Sequence, residues 1–164
     1  MKSFDSTTGQ STWITPMKLQ HSLGHFDLDP CAADEMPYRT ADRMVTKKED
    51  GLSVDWGESR VWLNPPYGKE IVPFLERMHN GIALVPCRTD NKWFHELVLP
   101  KAYAIFFMRG RVRFISIDGS DSGSPTFASI LVAYTKEDAE AITIADISGS
   151  FMYHKALATE GGAK

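Results

Sequence analysis

Val61-Trp62-Leu63-Asn64-Pro65-Pro66-Tyr67-Gly68 joins an apolar run to a rigid turn. An apolar strand running into such a turn puts its last residues at a sheet edge, where open α/β sheets bind ligands. Asn64 offers a side-chain carbonyl. Pro65 offers a backbone carbonyl, with φ fixed by its ring. Pro66 forces Pro65 to be extended. Tyr67 adds a flat aromatic face. Two acceptors beside a stacking plate suit a planar ring carrying an exocyclic NH2.

Outward from this stretch the chain alternates strand and helix patterns. After it, Ile71, Phe74, Leu75 and Met78 recur at helical spacing, which predicts a helix over 70–80. Ile82-Ala83-Leu84-Val85 is a continuous apolar run, as in a buried parallel strand. Asp90–Leu99 reads as helical. Ala102–Met108 and Phe127–Tyr134 read as strands, separated by a Ser/Gly/Asp-rich loop over 115–126. Thr135–Ala145 holds a short helix. Before the central stretch, Thr15 reads as the N-cap and Pro16 as the first residue of a short helix that stops at Gly24. Phe26 and Leu28 alternate with Asp27 and Asp29 as in a strand, and Asp29-Pro30-Cys31-Ala32-Ala33 reads as the turn after it. Residues 34–48 show no period. The pattern predicts an α/β fold, a mostly parallel sheet with helices on both faces. Residues 1–12 read as a flexible arm, 13–150 as a single domain and 151–164 as a C-terminal tail.

The composition fits that reading. With 164 residues, 43% hydrophobic and 24% charged, the chain is long enough for one domain with a real core. No apolar run approaches the ~20 residues of a membrane span, and the amino terminus carries no signal peptide, so a cytoplasmic protein without membrane contacts is expected. Cys31 and Cys87 are too few for a disulfide framework or zinc site; they read as reduced thiols, and no metal is expected. A net charge of −3 makes the whole molecule no polyanion binder, so nucleic acid must be met by a local basic face.

Several pieces occur in one order: Trp13-x-Thr15-Pro16, Phe26-x-Leu28-Asp29-Pro30-x-Ala32, Asp50-Gly51-Leu52 with Asp55-Trp56, and Asn64-Pro65-Pro66-Tyr67. Val85-Pro86-x-Arg88-Thr89-Asp90, Gly110-Arg111-Val112-x-Phe114 and Ser124-Pro125-x-Phe127-x-Ser129 follow. Over residues 13–134 this series resembles the small, phage-type DNA N6-adenine methyltransferases related to Dam. The resemblance implies a Rossmann-like S-adenosylmethionine-dependent fold whose sheet ends in an antiparallel hairpin, and the host bacterium's cytoplasm as location if the chain is phage-encoded. It also implies that Trp13, Thr15 and Pro16 lie against the cofactor. Asp29, Pro30, Cys31 and Ala32 stand where that family holds the cofactor's amino-acid end. The chain departs from the family here, with Cys31, Ala32 and Ala33 in place of the usual glycines.

Asp50 lies 21 residues beyond Asp29, about where nucleotide-binding folds place a ribose ligand, and Asp55 is a second carboxylate for the ribose hydroxyls or the cofactor's adenine amine. Asn64 and Pro65 are the expected acceptors for the target amine, Pro66 the brace and Tyr67 the stacking face, with Asn64 also beside the cofactor. A base inside a duplex cannot reach such a pocket and must be flipped out. Arg109, Arg111 and Arg113 alternate along an extended segment and share one side. With Arg88 and Lys92 they form the expected phosphate-binding surface for DNA. The chain has no room for a separate recognition domain, which leaves loops, or a second copy in a homodimer, to supply specificity. The Asn-Pro-Pro-Tyr turn alone also suits glutamine in a protein or a base in RNA. The missing glycine loop is the main support for a degenerate binding module.

Overall fold

The computed structural model describes residues 13–118, 120 and 125–154. The expected arm, most of the expected tail and the tip of the Ser/Gly loop lie outside them. Seven strands form one sheet: β1 (Leu28–Ala32), β2 (Arg43–Thr46), β3 (Val61–Leu63), β4 (Gly81–Pro86), β5 (Ala104–Met108), β6 (Ser129–Ala133) and β7 (Gly149–Tyr153). Their spatial order is β2-β1-β3-β4-β6-β5-β7. β2, β1, β3 and β4 pair in parallel, whereas β4–β6, β6–β5 and β5–β7 are antiparallel. The sheet is therefore parallel on one side of β4 and antiparallel on the other, less uniformly parallel than the sequence pattern predicts.

Strand alternation sorts the core into two layers. On one face α2 (Ile71–Arg77) and a π-helical turn (Phe94–Val98) cover the sheet with Ile71, Phe74, Leu75, Phe94 and Val98, which meet Leu63, Ala83, Val85, Ile105 and Val132. On the other, Leu23 beyond α1 (Met17–Ser22), Val112 and Phe114, and Ala139 and Ile142 of α3 (Lys136–Ile144) meet Trp62, Ile82, Leu84, Phe106 and Leu131. Helices on both faces match the expectation. β4 is buried along its whole length, as its unbroken apolar run requires.

Several local expectations change. β1 does not end at Asp29 but runs through Pro30 to Ala32. Pro30 has no N–H for a ladder, and the register with β2 slips between Asp29 and Ala32, so the proline sits in an irregularity that tolerates it. α2 stops at Arg77 because Met78 turns to extended backbone. α1 begins at Met17 after Pro16, and Thr15 makes no cap bond; its hydroxyl is engaged elsewhere. The 90–99 stretch closes as a π-helical turn. β2 lies inside the stretch that shows no period, and β7 carries the sheet past residue 150.

Thr135 caps α3 in a capping box with Asp138. Asp138 is fully buried and also accepts from Gly81 N at 2.9 Å and Arg60 Nε at 2.8 Å. One carboxylate thus ties α3 to the start of β4 and to the segment that leads into β3.

Candidate active site

β1, β3, β4 and β5 run in one direction, so the segments after them share one edge of the sheet. β6 runs the other way, which brings the residues before it to the same edge. Asn64–Tyr67, Pro86–Arg88, Arg109–Phe114 and Phe127 are all delivered there by topology. β2 lies to one side of β1 and β3 to the other, so the edge between β1 and β3 is the switch point where such sheets take ligands. The two strands pair only at Leu28↔Val61, leaving their carboxyl ends unladdered.

Asn64 is half-buried at the end of β3. Its Nδ2 donates to the Trp13 carbonyl at 3.0 Å and to Thr15 Oγ1 at 3.4 Å. A carbonyl can only accept, so the amide nitrogen must be the atom facing Trp13. Oδ1 is thereby turned the other way, and it accepts no hydrogen bond among the described residues. Pro65 is buried and Pro66 exposed. The Tyr67 ring packs edge-on to Phe127 at 5.4 Å. Its hydroxyl is buried without a partner among the described residues, and burial pushes the phenol well above its ordinary pKa, so it is neutral at physiological pH.

Phe127 gathers the aromatic side of the site. It stacks with Trp13 at 6.1 Å and sits under the Arg88 guanidinium at 5.9 Å, while Trp13 also meets Phe114 at 5.2 Å. Beside them is a cavity of about 410 Å³ lined by Tyr67, Lys69, Arg88, Asn91, Trp93 and Phe127. Its walls are aromatic and its rim cationic, a combination suited to an unstacked base with its phosphates. The sequence reading assigns Phe127 to a strand. It stands just before β6, and a site role follows only once that strand is known to be antiparallel. Trp93 and Asn91 lie in a stretch that reads simply as helix.

Of the expected cofactor residues, Asp29, Pro30, Cys31 and Ala32 lie on β1 with the Asp50 and Asp55 turns beside it, while Trp13, Thr15 and Pro16 stand with Asn64 at the end of β3; none of them lines this cavity. Asp29 is buried. One oxygen accepts from Cys31 N at 2.9 Å and the other from the Thr40 hydroxyl. Burial pushes its carboxyl up to about 6, and these two hydrogen bonds offset only part of that. Both oxygens of Asp29 thus have partners inside the protein, and it shapes the Pro30-Cys31 backbone from beneath. Asp50 is exposed, with φ at 61°, and one oxygen accepts from Leu52 N at 3.0 Å. Gly51 lies so close to β1 that a Cβ there would stand 1.9 Å from the Pro30 carbonyl oxygen, which sets the Asp50 turn directly against the strand tip. Trp56 Nε1 donates to the Gly51 carbonyl at 2.8 Å, which anchors exposed Asp55 to the same turn. Small side chains at Cys31 and Ala32, the exposed carboxylates of Asp50 and Asp55 and an aromatic at Trp13 fit a nucleoside donor bearing a ribose.

The segment carrying the arginines is not extended throughout, because it bends at Arg109-Gly110, where Gly110 has φ at 81°. Arg109, Arg111 and Arg113 are exposed, while Val112 and Phe114, which alternate with Arg111 and Arg113, are buried. Ile115 then bridges to Ile14 through two backbone hydrogen bonds of 2.9 and 3.1 Å. This tie brings the arginine ribbon beside Trp13 and Thr15, a contact no local pattern shows. Arg88 is exposed on Phe127. Lys92 is exposed and pairs with Glu96 at 3.6 Å, a surface pair of small energetic weight. Cys31 and Cys87 are free thiols. Among the described residues no helix is long and apolar enough to cross a membrane.

Comparison with known proteins identifies the family. The profile of the family described as DNA N-6-adenine-methyltransferase (Dam) matches residues 3–162. A curated relative, the DNA N-6-adenine-methyltransferase of Haemophilus phage HP1 (strain HP1c1), is 28% identical over 70% of this chain and 72% of its own length. No solved structure matches the chain. A match over nearly the whole length, on a sheet that presents an Asn-Pro-Pro-Tyr turn at its switch point, makes the chain a member of the DNA N-6-adenine-methyltransferase (Dam) family, an enzyme that methylates adenine N6 in DNA.

Proposed function

We propose that Asn64 Oδ1 and the Pro65 carbonyl hold the N6 amine of a flipped-out adenine while it takes the methyl group of S-adenosylmethionine. The observation that supports this most is the orientation of the Asn64 amide, whose NH2 is bound to Trp13 and Thr15. The adenine amine is a poor nucleophile because its lone pair is conjugated into the ring. Two acceptors on its N–H bonds raise electron density on nitrogen and favour the pyramidal form that develops as the methyl arrives, so they act in the transition state. S-adenosylmethionine supplies a methyl on a sulfonium that departs as a neutral thioether. The new N–C bond forms as the C–S bond breaks, and the amine then releases one proton to solvent. No covalent enzyme intermediate is required.

In this reading Tyr67 and Phe127 flank the base, and Asp50 and Asp55 take the donor's hydroxyl and amino groups at the β1 edge. Pro30, Cys31 and Ala32 give it backbone to approach, with Asp29 supporting them. Pro16 keeps the Trp13–Thr15 turn in place. Arg88, Lys92, Arg109, Arg111 and Arg113 meet phosphates. Asn64→Ala is expected to lower methyl transfer to unmodified DNA by at least ~100-fold while cofactor affinity stays within about 2-fold, the pattern of a lost transition-state contact. Transfer of labelled methyl groups and calorimetry measure the two quantities. Equal loss of both would overturn the role of Asn64. Label appearing in protein or RNA but not in DNA would overturn adenine as substrate.

A further inference from the structure

The hydrogen bonds around Asn64 continue into a segment that the proposed chemistry does not use. Thr15 is 2% exposed, and its Oγ1 accepts from Asn64 Nδ2 at 3.4 Å. The carbonyl of the same residue accepts from Tyr38 Oη at 2.5 Å. Tyr38 is one of three consecutive residues bonded to the elements that frame the site. Arg39 O is paired with His21 Nε2 at 2.9 Å, Thr40 O accepts from Gln20 Nε2 at 2.7 Å, and the Thr40 hydroxyl donates to Asp29. The strap 38–40 therefore fixes α1, the turn before it and β1 relative to one another. The Tyr38 ring also packs edge-on to His21 at 5.1 Å.

We infer that Thr15 is a positioning residue for Asn64, held in turn by Tyr38, and that this pair sets which face of the Asn64 amide meets the substrate. An amide has two ends of similar size, and only its hydrogen bonds distinguish them. The Trp13 carbonyl gives one bond to Nδ2. A single bond leaves the amide free to swing about its side-chain torsions, which are broad for Asn. Thr15 Oγ1 supplies the second, and two acceptors on one NH2 fix both the end and the plane. Thr15 Oγ1 touches Asn64 directly and Tyr38 reaches it through the Thr15 carbonyl, so their effect on the reaction runs through Asn64. The inference rests on the role given to Asn64 above.

Thr15→Val keeps the shape and removes the acceptor; Thr15→Ser restores it; Tyr38→Phe removes only the hydroxyl that holds Thr15. At saturating DNA and cofactor, Thr15→Val is expected to lower kcat by about 10-fold with both KM values within about 2-fold, Thr15→Ser to restore most of that rate, and Tyr38→Phe to fall between them. A readout independent of activity is the Asn64 side-chain amide in 15N–1H spectra, assigned by its loss in Asn64→Ala. Its two proton resonances should shift and exchange faster with water in Thr15→Val, and recover in Thr15→Ser. An unchanged amide signal, or a kcat loss that follows the melting temperature and is not restored by serine, would overturn the inference. So would a raised KM for the cofactor at unchanged kcat, which would place Thr15 on the cofactor instead. Wild-type protein without adenine methylation would overturn the functional reading alone, and the amide signal would still decide the positioning.

Discussion

Asp29 shows how far a residue's sequence context differs from its surroundings in the fold. The family resemblance implies that this acid, followed by Pro and small residues, holds the cofactor's amino-acid end. In the structure it is buried, with both oxygens turned to Cys31 N and Thr40. Nothing in the sequence near Asp29 reveals Thr40, eleven residues away across a stretch without a period. Burial raises its pKa from 3.8 to about 6, so the fold favours the protonated form. That contribution is complete below pH 3.8 and disappears as pH rises through 6, leaving a cost on the order of 3 kcal/mol at pH 8. Asn keeps the acceptor for Cys31 N without the buried charge. Asp29→Asn is therefore expected to match wild type in urea unfolding near pH 4 and to exceed it at pH 8. A midpoint difference that does not grow with pH would refute this assignment. Asn64 lies at the other extreme: its place at the end of an apolar run is readable from sequence, whereas the partners that orient its amide come from residues 13–15, some fifty positions earlier.

Among elements, those with one strong physical signal were legible. β3 and β4 announce themselves as apolar runs, and α3 falls inside the 135–145 stretch that reads as a short helix. β2 and β7 were not, because each is an edge strand that buries little. Val45 alone is fully buried in β2, and β7 has no fully buried residue. β1 was misplaced by Pro30, which marks a turn in most sequences and here occupies a register slip. The same strand tip carries a test. Gly51→Ala would set a methyl group 1.9 Å from the Pro30 oxygen, so the Asp50 turn must move off β1. We expect a stability loss of roughly 1–3 kcal/mol and cofactor affinity weakened at least ~10-fold, with DNA affinity little changed. Thermal melts and calorimetry measure the first two and fluorescence anisotropy the third.

For the whole molecule, the sequence pattern predicts the class and the two-sided covering of the sheet, since both follow from alternating strands and amphipathic helices. It does not place β6 between β4 and β5. Both neighbours of β6 are apolar along their length, so no local pattern distinguishes the possible orders. That insertion decides the site, because it reverses one strand and carries Phe127 to the edge shared by Asn64 and Arg88. It also gathers positive charge on a protein of net charge −3, since exposed Arg88, Arg109, Arg111 and Arg113 all follow strands ending at this edge. Arg111→Ala is expected to weaken DNA binding evenly across sequences and to reduce the slope of log affinity against log salt by about 1. Binding measured across a salt series checks it; an unchanged slope would remove Arg111 from the phosphate contacts.

The same insertion imposes an order on biosynthesis. β1 to β4 and the Asn64 turn all leave the ribosome before residue 87, and their parallel ladders need nothing that comes later. β5 emerges next but has no place in the sheet, because its neighbours there are β6 and β7. The arginine ribbon that hangs from β5 must wait with it until residue 133 is made. The chain therefore makes the Asn64 turn and its parallel ladders first, whereas Phe127 and the arginine ribbon take their places at that edge only when β6 slides in beside β4.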